Sequence, residues 1–304
     1  MIADFAVLKK IKMRLSTEKI IETMLKIATL VTILTTIGIV WVLVSESVNF
    51  FKEVSIIDFL TDTQWTPLFA NQHFGILPLI MGTLLTTIIA ISVSLPVGLT
   101  IAIYLSEYAP KKIKQIVKPL LEVLAAVPTV VYGFFALMVV TPFLQKFIPE
   151  MAGFNSLSAG IVMGIMIIPF ISSLSEDALS SVPKSLRHGS YGMGATRLQT
   201  SFRVMVPAAS SGIIVSVILA FSRAIGETMI VAIAAGQQPR LTINPLVPVE
   251  TITAYIVQVS LGDVMHDSTE YRTIFAAGIT LFLFTFILNN ISFWIRQKFR
   301  EEYE

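Results

Sequence analysis

Long uncharged stretches, separated by short segments rich in charge, dominate the pattern of hydrophobic and polar positions along the chain. A helix needs about 20 mostly apolar residues to cross the hydrocarbon core of a bilayer. The gaps between successive Asp, Glu, Lys and Arg residues are long enough for such a helix in six places. They predict membrane spans near residues 21–44, 76–104, 117–142, 157–175, 207–236 and 272–295.

Three prolines, Pro96, Pro128 and Pro169, fall inside these predicted spans. Membrane helices tolerate proline where neighbouring helices, side chains or water satisfy the freed carbonyl groups. The prolines therefore predict kinked helices packed in a bundle rather than isolated membrane anchors.

Basic residues are concentrated in alternate loops, and the cytoplasmic loops of membrane proteins are enriched in Lys and Arg. One set of loops holds Lys52, Lys146 and Arg240. The other set, together with the two tails, holds Lys9, Lys10, Lys12, Arg14, Lys19, Lys111, Lys112, Lys114, Lys118, Lys184, Arg187, Arg197, Arg203, Arg296, Lys298 and Arg300. The split predicts that both termini are cytoplasmic. It also predicts a tail at 1–20, a transmembrane domain at 21–295 with a long cytoplasmic loop at 176–206, and a tail at 296–304.

Composition supports the bilayer as the solvent of this chain. Of the 304 residues, 54% are hydrophobic and 14% are charged, and the mean hydropathy is +0.78. Soluble domains carry roughly 25% charged residues, so a chain this apolar would expose large hydrophobic patches in water. The absence of cysteine excludes a disulfide scaffold. We therefore expect an all-α membrane protein with six transmembrane helices.

The motifs of common catalytic sites are missing from the sequence. No glycine is followed by lysine, so the phosphate-binding loop of ATP-hydrolysing proteins is absent. His73, His188 and His266 lie too far apart for the two closely spaced histidines of a zincin helix. No G-x-S-x-G nucleophile elbow is present. We expect no catalytic residue, no bound metal and no enzymatic activity of the chain by itself.

The long loop at 176–206 places apolar side chains beside basic ones. Three glycines interrupt its helical pattern and favour a bend between two short helices. The glycines are Gly189, Gly192 and Gly194, and the apolar residues are Leu186, Tyr191, Leu198 and Phe202. From periodicity alone, the simplest interpretation is an amphipathic helix resting on the lipid surface.

The spacing within this loop resembles the coupling loop of ABC importer permeases, which has the form E-A-A, three residues, Gly, nine residues, Ile-x-Leu-Pro. Gly194, Val204, Val206 and Pro207 take the matching places, and residues 188–190 stand in place of E-A-A without its acid. In that family the loop forms a short helix that docks on the ATPase subunit. The resemblance implies a coupling role for Leu186, His188, Gly189, Ser190, Tyr191, Gly194, Ala195, Arg197 and Pro207.

Three further stretches are similar to the permease of the phosphate-specific ABC importer, the PstC type. They are residues 74–110, which end in SEYAP, residues 125–137 (AAVPTVVYGFFAL) and residues 220–231 (AFSRAIGETMIV). The resemblance implies a type I ABC importer permease fold in the cytoplasmic membrane of a prokaryote. As partners it implies a related second permease (PstA type), two ATPase subunits (PstB type) that bind ATP and magnesium, and an external phosphate-binding protein (PstS type). We expect neither a cofactor of the chain itself nor a nucleic acid partner.

Arg223 and Glu227 lie inside the predicted fifth span. Their spacing of four puts both side chains on one face of a continuous helix, where the acid would lower the cost of burying the arginine. A guanidinium group suits phosphate because it donates two parallel hydrogen bonds. The resemblance to phosphate permeases implies that both residues serve the substrate pathway, with Glu227 holding Arg223 and keeping phosphate binding weak enough for release. A purely structural pair is the alternative.

Small residues recur every fourth position in the predicted fifth span, and two glycines four apart lie in the predicted fourth span. Small residues allow close approach of helices in membranes, so we expect helix packing, with a pore lining as the alternative. The residues are Gly160, Gly164, Ala208, Gly212, Ser216, Ala220 and Ala224.

The remaining charged residues receive no chemical role. Lys118 and Glu122 are expected to pair at the membrane interface, with the lysine reaching towards water. The exterior loops lean acidic, and we interpret their acids as a solvated surface; the resemblance implies that a solute-binding protein docks there. The acids are Glu46, Glu53, Asp58, Asp62, Glu250, Asp263, Asp267 and Glu270.

The expected function is a permease subunit that forms half of the pathway of an ATP-driven phosphate importer. Two alternatives stay open: a permease for another oxyanion, such as sulfate, molybdate or tungstate, and an autonomous secondary carrier or channel. Carriers often contain internal repeats or broken helices in paired halves, and the sequence shows no convincing duplication. A membrane-embedded hydrolase fits least well because the catalytic motifs are missing.

Overall fold

The computed structural model describes the backbone of residues 2–266 and 268–298, and the side chains of residues 18–297 except Asp267 and Arg296. Part of the predicted tails therefore lies outside the described residues. The basic residues affected are Lys9, Lys10, Lys12, Arg14, Arg296, Lys298 and Arg300, and most of the predicted tail at 296–304 is affected as well.

Within this range the chain is helical, with two isolated backbone bridges that join Trp65 to Phe74 and Gly236 to Val249. We number the helices in chain order and treat continuous helical stretches as one element. The helices are α1 (Ile2–Glu53), α2 (Ile56–Thr61), α3 (Leu77–Tyr108), α4 (Lys111–Ala126), α5 (Thr129–Gln145), α6 (Ser156–Ser181), α7 (Lys184–Gly192), α8 (Arg197–Ala208), α9 (Ser210–Ile225), α10 (Met229–Ala234), α11 (Ile252–Leu261) and α12 (Thr269–Lys298).

Four of these helices, α1, α3, α6 and α12, are long and apolar enough to cross a bilayer by themselves. Two bent pairs, α4 with α5 and α8 with α9, also qualify if each pair forms one crossing. Four to six crossings, by length and composition, agree with the expected all-α membrane fold. In the most apolar window of α6, 61% of residues are buried, against 0% in that of α1. Helix α6 is therefore central in the bundle, whereas α1 presents its surface to lipid or to a partner.

The predicted third span, 117–142, is not one helix. Helix α4 ends at Ala126, α5 begins at Thr129, and the two axes differ by 85°. The residue before a proline is disfavoured in the helical conformation, and Val127, before Pro128, has an extended backbone. Pro96 and Pro169, by contrast, lie within α3 and α6.

The predicted fifth span, 207–236, is also interrupted. Helix α9 ends at Ile225, with Gly226 as its C-cap, and α10 begins only at Met229. At its other end, α9 is bent by 72° from α8. The prediction of a continuous helix here was wrong, because apolar character continues through the break while the helical hydrogen bonds do not. The predicted loop at 176–206 also begins inside a helix, since α6 continues to Ser181.

Buried apolar side chains form three clusters along the bundle. The central cluster surrounds Met163 and Ile167 of α6. The second is rich in aromatic residues and contains Trp65 and Tyr255, whose ring centroids are 5.0 Å apart. The third surrounds Leu179, where the ends of α3 and α6 meet the start of α9. This third cluster lies near the basic residues of α4 and α7, and we call that end of the bundle the basic end.

Candidate functional site

A cavity of about 320 Å³ lies between α4, α6 and α9. Along α6 its lining runs from Met166 to Glu176, about 15 Å at about 1.5 Å of helix rise per residue. The apolar lining includes Leu105, Leu121, Ala125, Met166, Pro169 and Phe170, and the polar lining consists of Lys118, Glu122, Ser173, Glu176 and Arg223. The site is therefore an elongated, largely apolar space with two basic and two acidic side chains in its wall.

Arg223 lines this cavity on the side away from the basic end. The Oγ atoms of Ser216 on α9 and Ser175 on α6 are 2.8 Å apart. Ser216 therefore lies at about the same height in the bundle as Glu176, the residue after Ser175. Arg223 lies about two helical turns, or about 10 Å, further from the basic end than Ser216. Its side chain is exposed, and among the described residues it has no ion pair. Its position in the last turn of α9 is favourable because cations are stabilised at helix C-termini.

Glu227 does not hold Arg223, and the predicted contact between them was wrong. The prediction assumed a continuous helix, but α9 ends before Glu227 and the chain turns at Gly226. Oε1 of Glu227 instead accepts hydrogen bonds from the backbone N–H groups of Met229 and Ile230, at 3.2 and 3.4 Å. An acid at a helix N-terminus satisfies free N–H groups and complements the helix dipole. Glu227 thus caps α10 and does not line the cavity.

The basic end of the cavity contains a cluster of charges that the sequence analysis missed. The Glu176 side chain is only 4% exposed, and its Oε2 lies 2.5 Å from Nζ of Lys118. Its Oε1 lies 3.4 Å from Nζ of Lys114 and accepts a hydrogen bond from the Ser180 hydroxyl at 3.1 Å. Lys118 therefore pairs with Glu176. The predicted pair of Lys118 with Glu122 was wrong, because the nearer carboxylate comes from another helix.

A signal for this cluster was present in the sequence. Lys114 and Lys118 are four apart and so lie on one face of α4, and Glu176 is an acid close to the end of an apolar helix. The sequence did not show that these residues pair, because Lys114 and Glu176 are 62 residues apart and lie on different helices.

The small residues of α6 lie against α3. A Cβ atom added to Gly164 would lie 2.7 Å from the backbone oxygen of Ala90, and one added to Gly160 would lie 2.7 Å from Cβ of Ile89. Both distances are too short for real contacts, so α3 and α6 approach each other as closely as two glycines allow.

The small residues of α8 and α9 pack as well. Ser216, Ala220 and Ala224 are buried, and a Cβ atom added to Gly212 would lie 2.5 Å from Cβ of Ala178 on α6. Ala208 is half-buried beside the cluster around Leu179. The cavity lining contains none of these residues and neither of the α6 glycines, so packing is the role that this geometry supports.

The segment predicted to couple forms two short helices, α7 and the start of α8. Gly189 and Gly192 lie within α7, and the bend comes later, at Met193–Ala195, where Gly194 has a φ of +83°. A side chain at that φ would be strained. The backbone conformation therefore explains why a glycine occupies this position of the coupling-loop pattern. Thr196 then caps α8 through a capping box with Gln199.

This segment has an exposed apolar surface, which we call the coupling surface and define by Leu186, Tyr191, Met193, Leu198 and Phe202. All five side chains are exposed, Met193 by 89%. His188, Gly189, Arg197 and Pro207 are also exposed, whereas Ser190 and Ala195 are half-buried. The Oγ atom of Ser190 is 2.9 Å from Oγ1 of Thr200, which joins the two short helices. A surface of this kind fits either a membrane or a protein partner.

Among the described residues there is no group of three or more His, Cys, Asp and Glu side chains able to hold a metal ion. The three histidines lie apart: His73 contacts Asp62 at 2.9 Å, His266 packs against Tyr271, and His188 is exposed on α7.

One acid of the predicted exterior loops is not solvated. Glu250 is only 2% exposed, and its Oε1 has no hydrogen-bond partner within the described part of the chain. Its backbone oxygen lies against Gly82 of α3, where an added Cβ atom would be only 2.1 Å away. Burial raises the pKa of Glu250 from 4.5 to about 8. The interpretation of this acid as part of a solvated surface was wrong, because its segment folds back between helices.

Comparisons with known proteins point to membrane transport. The family described as "Binding-protein-dependent transport system inner membrane component" matches residues 94–301. The probable ABC transporter permease protein YqgH of Bacillus subtilis (strain 168) is 37% identical over 234 residues, which cover 77% of this chain and 75% of that protein. The phosphate transport system permease protein PstC of Mesorhizobium japonicum is 31% identical over 252 residues, covering 76% of this chain and 75% of that protein.

Among solved structures, a chain of a bacterial ABC transporter involved in the import of the acidic polysaccharide alginate has the same fold. It superposes with a TM-score of 0.58 at 17% identity, covering 90% of this chain and 96% of that chain.

Proposed function

The chain belongs to the inner-membrane components of binding-protein-dependent transport systems, and on that premise we propose that it forms one half of the translocation pathway of a phosphate importer. It is a multi-pass membrane permease subunit of an ABC importer and not an enzyme. ATP is hydrolysed on separate subunits of such importers, and a substrate-binding protein delivers the cargo. The proposal concerns the cargo, the residues along the pathway and the identity of the partners.

The observation that carries the proposal is the arginine in the wall of the cavity, which has no ion pair among the described residues. An arginine at the centre of a membrane helix costs about 2.5–3.5 kcal/mol on insertion scales, and no described acid forms an ion pair with Arg223. A planar guanidinium with free donors suits a tetrahedral oxyanion. Sites for drug-sized ligands occupy about 300–1,000 Å³, so a cavity of about 320 Å³ is roomy enough for a small anion with water.

The name of the PstC relative supports phosphate as the cargo. The guanidinium geometry alone suits sulfate, molybdate and tungstate as well, so competition between anions belongs in the test. Glu227 enters the proposal in a new way: by capping α10 it fixes the break between α9 and α10, next to the last turn of α9 that carries Arg223.

The coupling surface supplies the second part of the proposal. We place an ATPase subunit against it, because α7 continues through Val182 and Pro183 from α6, and α8 leads into α9. Two of the three walls of the cavity are thus joined through the coupling segment. The full assembly would contain a second permease of PstA type, two ATPases of PstB type holding ATP and magnesium, and an external phosphate-binding protein of PstS type.

The test is phosphate uptake by the assembled complex in proteoliposomes. Arg223→Gln is expected to abolish ATP-dependent phosphate uptake while leaving assembly intact, because the variant keeps a polar side chain and loses the charge and the planar fork. Arg223→Lys keeps the charge without the planar fork, and its phosphate uptake is expected to lie between those of the wild type and Arg223→Gln. Arg240→Gln removes the same charge from a predicted exterior loop and serves as the matched control.

Normal uptake by Arg223→Gln would remove this arginine from the mechanism. Uptake of sulfate, molybdate or tungstate in preference to phosphate would assign the permease to another oxyanion. Phosphate flux through the purified chain without ATPase subunits would instead support an autonomous carrier.

A further inference from the structure

An ion pair ties the coupling segment to the end of α3. Nη2 of Arg187, on α7, lies 2.6 Å from Oε1 of Glu107, in the π-helical last turn of α3. The Ser106 hydroxyl donates a hydrogen bond to the same oxygen at 3.1 Å. The Glu107 side chain is only 2% exposed, so water has little access to replace the arginine.

Glu107 stands close to the start of the wall that α4 contributes to the cavity. The backbone N–H of Ala109 donates to the carbonyl of Tyr104, and the chain then turns at Pro110 into α4. Helix α4 carries Lys118 and Glu122 of the cavity lining. Because the connection from Glu107 to α4 is short and hydrogen-bonded, a displacement of Glu107 displaces the start of α4.

The other attachments of α7 lead to the other two walls. The chain joins α7 to α6 through Val182 and Pro183, and the contact between Ser190 and Thr200 joins it to α8 and so to α9. The Arg187–Glu107 pair adds a noncovalent attachment that leads to α4. All three walls of the cavity are therefore attached to one short helix.

We propose that the Arg187–Glu107 pair transmits the movement of α7 to α4, which makes both residues positioning residues that couple the ATPase to the cavity. The proposal rests on the proposed function, since it requires an ATPase subunit docked on the coupling surface. The physical basis is the cost of separation: pulling the pair apart would leave a buried carboxylate without its cation. The end of α3 and α7 therefore move together.

The experiment uses the assembled complex in proteoliposomes with three readouts: retention of the ATPase subunits on purification, ATP hydrolysis, and phosphate transported per ATP hydrolysed. The informative variant is the double variant Glu107→Gln with Arg187→Gln, because it removes both charges and leaves neither buried alone. We expect the ATPase subunits to be retained and ATP to be hydrolysed within about twofold of the wild-type rate, while phosphate transported per ATP falls at least about fivefold.

Arg187→Lys provides a graded test, since a lysine keeps the charge but not the planar fork. It is expected to fall between the wild type and the double variant in phosphate transported per ATP. Lys112→Gln is the matched control: Lys112 is an exposed cation at the start of α4, and its removal is expected to leave all three readouts unchanged.

Two outcomes would overturn the proposal. One is a double variant that assembles and transports as much phosphate per ATP as the wild type. The other is a double variant that no longer assembles, because the pair would then be a structural requirement and not a transmission contact. Failure of the proposed function would look different: the wild-type complex itself would transport no phosphate, or would not retain ATPase subunits.

Discussion

The two ends of the bundle bury carboxylates in opposite ways. At the basic end, Glu107 is held by Arg187, and Glu176 is held by Lys114 and Lys118, in each case from another helix. At the opposite end, Glu250 is equally buried but has no cation beside it and one oxygen without a partner in the described structure.

The difference shows what each carboxylate contributes. A buried ion pair is costly to break, because the remaining charge stays in a medium that solvates it poorly. The pairs at the basic end therefore hold helices together that could otherwise slide. An unpaired buried acid avoids the cost of a buried charge by keeping its proton. Glu250 therefore joins no two helices by an ion pair, and its contribution to stability depends on pH instead.

The largest expected effect on stability comes from removing both lysines that pair with Glu176. The double variant Lys114→Gln with Lys118→Gln leaves a buried carboxylate uncompensated, and breaking such a pair costs roughly 3–5 kcal/mol. Thermal denaturation of the purified complex in detergent is the measurement. Each single variant should cost less than about half as much, because the other lysine remains.

Adding Glu176→Gln to this double variant provides the control. It removes the orphaned charge and should recover most of the lost stability, since no buried ion then remains. Single effects that simply add up, or no recovery in the triple variant, would show that Glu176 is not the reason for the two lysines and would weaken the contrast between the two ends.

The sequence predicted the membrane class because that class follows from apolar length, and four of the six predicted crossings are single apolar helices in the structure. It could not predict where those crossings break. Val127 and Gly226 sit in apolar stretches that read as continuous, and only local backbone preferences, the proline after Val127 and the glycine cap after Ile225, distinguish them. The wrong placement of Glu227 followed from the same cause, since a spacing of four has meaning only on an unbroken helix.

The candidate site was predicted in part. Resemblance predicted Arg223 and Glu227 in a pathway and a coupling segment in the loop at 176–206, and the structure brings Arg223, but not Glu227, into a cavity. The partners of Glu176 and Glu107 are contributed by segments distant in sequence, so no local pattern identifies them. Glu250 was missed for the opposite reason: an acid in a polar loop is normally exposed, and only the fold shows that this loop returns between helices.

A pH titration of stability tests the unpaired acid. In the folded protein the pKa of Glu250 is about 8, above its ordinary value of 4.5. Between these values the unfolded chain has released the proton and the folded chain keeps it, so stability falls as the pH rises and levels off above about pH 8. From about pH 6 to about pH 7.5 the loss is expected to approach roughly 2 kcal/mol, measured as a falling thermal midpoint.

Glu250→Gln resembles the protonated acid in shape and cannot ionise, so it should flatten this part of the profile and stabilise the protein most at the alkaline end. Glu53→Gln, an acid in a neighbouring segment that pairs with Arg272 at 2.9 Å, serves as the control and should leave the slope in place. An unchanged slope in Glu250→Gln would assign the pH dependence to other groups.

The smallest effect is expected for a hydrogen-bonded contact between an acid and a histidine that is partly exposed, at the same end as Glu250. Oδ2 of Asp62 lies 2.9 Å from Nδ1 of His73, and the two side chains are 28% and 34% exposed. Desolvation raises the pKa of Asp62, but hydrogen bonds from His73 and from the backbone N–H of Gln64 outweigh it, and the pKa is lowered from 3.8. The stability this provides is present above the ordinary pKa and is lost as the pH falls below it.

Asp62→Asn should therefore lower the free energy of unfolding by only about 0.5–1 kcal/mol near neutral pH, within the range of exposed pairs. The measurement is the thermal midpoint of the variant compared with that of the wild type. His73→Gln, which keeps a side-chain donor, should cost no more. The loop around Asp62 is held by other means, including the bridge between Trp65 and Phe74 and the packing of Trp65 on Tyr255. A loss as large as that of the double lysine variant would mean that contacts between polar side chains fix the two ends equally, and the distinction between the ends would then rest on Glu250 alone.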